Sequence, residues 1–157
     1  MLKWLWLSGL VLVLDQASKW MMTSWLSLYE TVAVMPFFNL TMAHNTGAAF
    51  SFLAQAGGWQ RWFFAAVAAI VSVVLLVWLK RLSTTAKLEA ASISLILGGA
   101  IGNLVDRISL GYVVDFLDFY NYYGSYHFPA FNIADSAICI GAVLLIIDSF
   151  SHKQEQA

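Results

Sequence analysis

Four apolar runs, at about 4–22, 62–79, 88–105 and 133–150, are each close to the roughly 20 residues that a helix needs to cross about 30 Å of hydrocarbon. Inside a bilayer the backbone has no water to bond, so runs of this kind fold as helices that satisfy their own amides. The composition agrees, because 61% hydrophobic and only 11% charged residues, with seven Trp among 157, is more apolar surface than a soluble core of this length needs. The first run follows Lys3 like a secretory leader, but Asp15-Gln16 stands where a small-residue cleavage site belongs, and we read a retained helix. The expectation is an all-α membrane protein: one domain, 1–157, of four transmembrane helices with outer loops at about 23–61 and 106–132.

Basic residues orient the bundle. Lys3, the Lys80-Arg81 and Lys87 connection, and Lys153 fall on one side, which the positive-inside rule makes cytoplasmic, with both termini inside. The opposite side holds Arg61 and Arg107 near helix ends and an aromatic belt of Trp25, Trp59, Tyr120, Tyr122, Tyr123 and Tyr126. The outer loops carry more than linkers. Glu30-Thr31-Val32-Ala33-Val34 and Phe38-Asn39-Leu40-Thr41-Met42 flank Met35-Pro36, a pattern that predicts two short strands and so a small β-containing periplasmic elaboration. The stretch from Asn45 to Leu53, with Thr46 as N-cap and Gly57-Gly58 beyond, predicts a short helix in the interface. No internal repeat at a fixed period stands out.

Several functions are set aside by what is missing. A net charge of −1 with no run of Lys or Arg leaves nothing to track a phosphate backbone, so nucleic acid is not an expected partner. Cys139 is alone in an apolar run and reads as a small buried hydrophobe. His44, His127 and His152 are scattered singly and no His-Glu-x-x-His occurs, so neither a metal site nor a cofactor is expected. No Gly-x-Ser-x-Gly elbow is present for a serine nucleophile.

The polar residues gather at one depth. Asp15, Gln16 and Lys19 lie in the outer half of the first helix, Asn103, Asp106 and Arg107 end the third, Asn132 and Asp135 begin the fourth, and Asp115 lies between the last two. Ionisable groups at membrane depth are costly and mark functional sites. A transport pathway would place them along the whole crossing or near its middle, whereas this clustering suits a site that draws water from the outer surface. Bland readings stand beside the sharp one. Asp15 and Lys19 are spaced as an i,i+4 ion pair, and Asp106-Arg107 is either a structural pair and anchor or a device that orders the site. Asn45, Asn103 and Asn132 bond either backbone groups or substrate amides and carbonyls. Asp135 stands where a first-turn carboxylate is favoured by the helix dipole. Asp118 points away from Asp115 if the segment is extended and is expected at the surface. Asp115 and Asp135 together offer an acid/base dyad. The alternatives are a proton-coupled small transporter or channel using the same carboxylates, and an assembly factor that uses them only to hold helices together.

Five blocks, Asp15-Gln16-Ala17-Ser18-Lys19, Asn45-Thr46-Gly47-Ala48-Ala49-Phe50, Gly98-Gly99-Ala100-Ile101-Gly102-Asn103-Leu104-Val105-Asp106-Arg107, Val113-Val114-Asp115-Phe116 and Phe128-Pro129-Ala130-Phe131-Asn132-Ile133-Ala134-Asp135-Ser136, closely resemble those of bacterial lipoprotein signal peptidases, or signal peptidase II, in the same order and across nearly the whole chain. The resemblance implies an intramembrane aspartic endopeptidase of the inner membrane. Such an enzyme removes the signal peptide from diacylglyceryl-modified prolipoproteins, cutting just before the lipid-bearing cysteine near the periplasmic face. It implies that Asp115 and Asp135 are catalytic, that Asn45, Asn103, Arg107 and Asn132 bind substrate and support the dyad, and that Asp15 is chiefly architectural. Lys19 and Asp106 are expected to be structural. The implied partners are lipid-modified prolipoproteins and membrane lipids. Apart from the resemblance, a 157-residue chain with one bundle is expected to work as a monomer, with 45–53 as a lid over a lateral opening between helices.

Overall fold

The computed structural model describes residues 1–47, 57–120 and 128–154, with side chains to 151. Most of the segment expected as an interfacial helix and lid lies outside the described residues, as do Tyr122, Tyr123, Tyr126, His127 and the side chains of His152 and Lys153. After a short 3-10 turn the elements are α1 (Leu5–Trp25), β1 (Thr31–Met35), β2 (Phe38–Asn45), α2 (Trp59–Arg81), α3 (Lys87–Ser109), β3 (Val113–Phe119) and α4 (Ile133–Gln154). All four helices outrun the apolar runs that announce them, because their polar last turns continue the backbone ladder past the hydrocarbon pattern.

Among the described residues three helices, α2, α3 and Ile133–Ser151 of α4, are long and apolar enough to cross a membrane. The fourth, α1, has 21 residues, but Asp15, Gln16 and Lys19 lower its hydropathy. Within the bundle α3 is central and packs against α1, α2 and α4. In its apolar window 56% is buried, against 22% for α2 and 17% for α4. The large side chains of the outer helices, such as Ile70, Val73 and Val74 of α2 and Ile140, Val143 and Ile146 of α4, point away from the protein. That inversion of the soluble pattern is what a lipid solvent requires.

Small residues let α3 occupy the centre. A Cβ on Gly98 would stand 2.8 Å from the Ser8 carbonyl oxygen of α1, one on Gly102 would stand 2.6 Å from Asp15 Oδ2, and one on Gly99 would collide with the Ala134 carbonyl of α4. Close backbone approach of this kind is the usual basis of helix packing in membranes. At one end of the bundle Leu75, Leu79, Ala90, Ile93 and Leu97 form an apolar cluster. At the other end Met22, Leu26, Met42, Val114 and Phe116 fasten the end of α1 to the sheet.

The expected hairpin is present, and β3 extends it to an antiparallel sheet of order β1-β2-β3. Phe38, Asn39 and Leu40 face Phe119, Asp118 and Leu117, after which Ala43, His44 and Asn45 face Asp115, Val114 and Val113. Between Leu40 and Ala43 the bulged strand β2 holds one residue more than its partner, and the bulge re-aims everything beyond it. Two expectations need correction here. Asp118 is buried and accepts bonds from Asn39 Nδ2 and Thr41 Oγ1, both at 3.1 Å, because β3 is covered on both faces. Cys139 is exposed, on the side of α4 that borders a cavity.

Candidate active site

Asp115 lies within β3, a strand buried over most of its length, and Asp135 lies in the first turn of α4. Phe131, just ahead of that helix, pairs with Leu117 of β3, and this bridge brings strand and helix start together. Asn132 joins the two carboxylates. Its Nδ2 donates to Asp115 Oδ1 at 2.7 Å, its Oδ1 accepts from the Asp135 backbone N–H at 2.9 Å, and Asp135 Oδ2 accepts from the Asn132 backbone N–H at 3.3 Å. The last two bonds form a reciprocal box that satisfies otherwise orphaned amides at the start of α4. Local helix capping thus holds one carboxylate in place and aims a donor at the other.

Each carboxylate has one further amide partner. Asn45, at the end of β2, donates from Nδ2 to Asp115 Oδ2 at 3.0 Å, and Asn103 of α3 donates from Nδ2 to Asp135 Oδ1 at 2.7 Å. Burial and the neighbouring Asp135 charge push the Asp115 carboxyl up to about 7, against the bonds from Asn45 and Asn132 that favour its ionised form. Both effects act on the charged species, through lost hydration and like-charge repulsion.

A cavity of about 570 Å³ opens on this pair. Asn45, Asn103, Arg107, Asp115 and Asp135 form its polar patch, while Val113, Phe128, Phe131, Ile138 and Cys139 contribute apolar wall. The size falls in the range of small-molecule and peptide clefts. Arg107 donates to the Gly47 carbonyl at 3.0 Å and to the Asn103 carbonyl at 3.3 Å, with its guanidinium over the Phe64 ring. It therefore ties the chain beyond β2 to α3 beside the carboxylates. Asn132 is fully buried and stands behind the carboxylates, outside the cavity wall.

The remaining polar residues form a second cluster next to the first. Lys19 bridges Asp15 Oδ2 at 2.8 Å and Asp106 Oδ2 at 2.9 Å, with all three side chains almost wholly buried. The expected i,i+4 pair on α1 is present, and it extends across to α3. Asp106 and Arg107 do not pair, since adjacent helix residues point about 100° apart: Asp106 turns to α1 and Arg107 to the cavity. The cluster also places backbone. Asp15 Oδ1 accepts from the Ala134 N–H at 2.9 Å, and Asp106 Oδ2 accepts from the Val114 N–H at 3.1 Å, each one residue before a carboxylate of the pair. Gln16, which the sequence reading left without a role, donates to Asp106 Oδ1 at 2.9 Å and to the Gly102 carbonyl at 3.2 Å. Its place beside Asp15 was the available signal. Among the described residues no group of three or more His, Cys, Asp or Glu is arranged to hold a metal ion.

Comparison with known proteins gives a consistent result. The family model for signal peptidase (SPase) II matches residues 7–151. The chain is 56% identical to the lipoprotein signal peptidase of Alteromonas mediterranea, over 99% of this chain and 85% of that protein. It is 54% identical to that of Pseudomonas putida, over 99% and 91%. A solved bacterial membrane enzyme superposes with a TM-score of 0.88 at 31% identity, covering 100% of this chain and 93% of the other. A second gives 0.79 at 32% identity, over 94% and 92%. These likenesses do not support the transporter or channel alternative.

Proposed function

The chain belongs to the signal peptidase II family, and we propose that it performs its hydrolysis as an aspartic endopeptidase with Asp115 and Asp135 as the catalytic pair. It is a membrane-bound peptidase that removes signal peptides from lipoprotein precursors. The bond cut is the one just before the cysteine that carries the diacylglyceryl group. The observation that carries the aspartic assignment is the convergence of two carboxylates on one cavity, joined through Asn132 and bonded by amides, with no ammonium or guanidinium among the described residues bonded to either.

The pair shares one proton. Asp115, which holds a proton up to about pH 7, starts as the acid. Asp135 starts as the base, because the first turn of α4 favours negative charge there. Water gives a proton to Asp135 as its oxygen adds to the scissile carbonyl carbon, and Asp115 gives its proton to the carbonyl oxygen. On collapse, Asp135 passes the proton to the leaving nitrogen, the C–N bond breaks, and Asp115 recovers its proton from the hydroxyl. Asn45 and Arg107, on the cavity wall, orient the peptide backbone that must unwind to reach the pair. The apolar wall takes side chains of the signal peptide.

All four helices cross the inner membrane, α1 among them because its charged residues are paired inside the bundle. Both termini are cytoplasmic and the site lies near the periplasmic face. The acyl chains of the substrate remain in lipid, where each buried methylene contributes about 0.8 kcal/mol to holding it at that depth. The chain works as a monomer.

The test is cleavage of a diacylglyceryl-modified prolipoprotein by purified wild type, Asp115→Asn and Asp135→Asn, followed by gel shift, with unlipidated substrate and thermal unfolding alongside. Each substitution is expected to lower the rate by at least about 100- to 10,000-fold in a folded protein. A folded variant that still cleaves at the wild-type rate removes that aspartate from the mechanism.

A further inference from the structure

Lys19 makes three bonds with its three donors, to Asp15, to Asp106 and to Asn103 Oδ1 at 3.0 Å. Two carboxylates already satisfy the charge of an ammonium. The third donor is spent on a neutral amide, and that amide is the one facing Asp135.

We propose that Lys19 is a positioning residue for the reaction, fixing the Asn103 amide so that its Nδ2 donates to Asp135. The inference rests on the reading of Asp135 as half of the catalytic pair. A primary amide is nearly symmetric in shape but has an acceptor at one end and donors at the other, so its neighbours decide which way it points. Asn103 Oδ1 receives Lys19 Nζ and, at 3.2 Å, Asn132 Nδ2, and neither nitrogen can accept. The only end left for Asp135 Oδ1 is Nδ2, at 2.7 Å. Asn132 is oriented independently, by the Asp135 N–H it accepts and by the Val114 carbonyl to which it donates.

Without the ammonium, Asn103 keeps one orienting partner, at the longer of the two distances. A turned amide would set Oδ1 against the Asp135 carboxylate and push it from the place where it meets water. Lys19 itself cannot drift, since α1 holds one of its acids and α3 the other. Displacements of about 1 Å at a reacting group cost on the order of 100-fold in rate.

Removing Lys19 alone would strand two buried carboxylates, so the decisive variant is the double Asp15→Asn, Lys19→Met, which leaves the net charge of the cluster at −1 and keeps an acceptor for the Ala134 N–H. Cleavage of a lipidated prolipoprotein is measured at several substrate concentrations for wild type, this variant, Asn103→Ala, and the combination of all three changes, with thermal unfolding of each. The expected result is a kcat loss of about 10- to 100-fold at a KM within about threefold of wild type, and less than about twofold further loss when the change is added to Asn103→Ala. A kcat per folded molecule equal to wild type would make Lys19 merely structural and overturn the proposal. Losses that multiply with Asn103→Ala would overturn it as well, because Lys19 would then act elsewhere. A wild type that leaves the substrate intact would fail at an earlier point, overturning the peptidase reading and this inference with it.

Discussion

Two pairs of aspartates lie side by side at one end of this bundle, and they are treated in opposite ways. Asp15 and Asp106 share the ammonium of Lys19, whereas Asp115 and Asp135 are joined through Asn132, whose side-chain amide donates to Asp115 and whose backbone N–H donates to Asp135. An ammonium between two acids bonds both and locks them together. Amide donors stabilise charge less, so burial and mutual repulsion win at Asp115 and leave a proton that is exchangeable near neutrality. The same residue type is a frame in one pair and, in the proposed mechanism, a reagent in the other, and the neighbour decides which.

The widest separation between the pairs should appear in stability. Lys19→Met alone leaves two buried charges without their counterion and is expected to cost about 3–5 kcal/mol. Asp115→Asn removes a charge the fold does not favour, and should leave the melting temperature unchanged or higher at pH 8. Thermal unfolding in one detergent compares them directly, and equal losses would erase the distinction.

A second effect follows from pH. The Asp115 carboxyl moves from an ordinary value of 3.8 to about 7 on folding, so the native chain binds more protons than the unfolded chain between those values. Its contribution to stability is therefore full below about 4, declines as pH rises through the window, and is gone above about 7. Wild type should lose this increment between pH 4 and 8 and Asp115→Asn should not. Cleavage should fall about tenfold per pH unit above about 7, as the acid member of the pair loses its proton. A flat alkaline limb up to pH 9 would assign the proton elsewhere.

The smallest expected effect belongs to Asn45. Its bond to Asp115 comes from a half-buried residue at a strand end, so Asn45→Ala should reduce kcat by about tenfold, equivalent to about 1.4 kcal/mol, with little change in melting temperature. A loss as large as that of Asp115→Asn would give Asn45 a part in the chemistry.

The bundle was legible in the sequence because lipid imposes a single rule on every spanning run, and the hairpin because Met35-Pro36 interrupts two β-prone stretches. The proposed catalytic pair is read from the five blocks and from the depth its residues share, and the structure places both carboxylates on one cavity. The Lys19 bridge to Asp106 was not, since nothing in either helix says which face meets the other until Gly98, Gly99 and Gly102 bring them together. Asp118 misled for a related reason: alternation along a strand separates two faces but does not say that both are covered, and here Asn39, opposite it on β2, takes up its charge. Cys139 misled because an apolar run has no inside until the helix finds its neighbours.

The extra residue in β2 between Leu40 and Ala43 gives chain length a meaning of its own. Side chains alternate along a strand, so a one-residue deletion at Thr41 or Met42 would restore a regular ladder and turn Asn45 away from Asp115 with every polar residue still present. Insertions at the hairpin tip, by contrast, leave that spacing intact. Tolerance to insertion and deletion should therefore differ sharply between two sites a few residues apart in the same strand pair, and a variant can lose the proposed site without losing any residue that composes it.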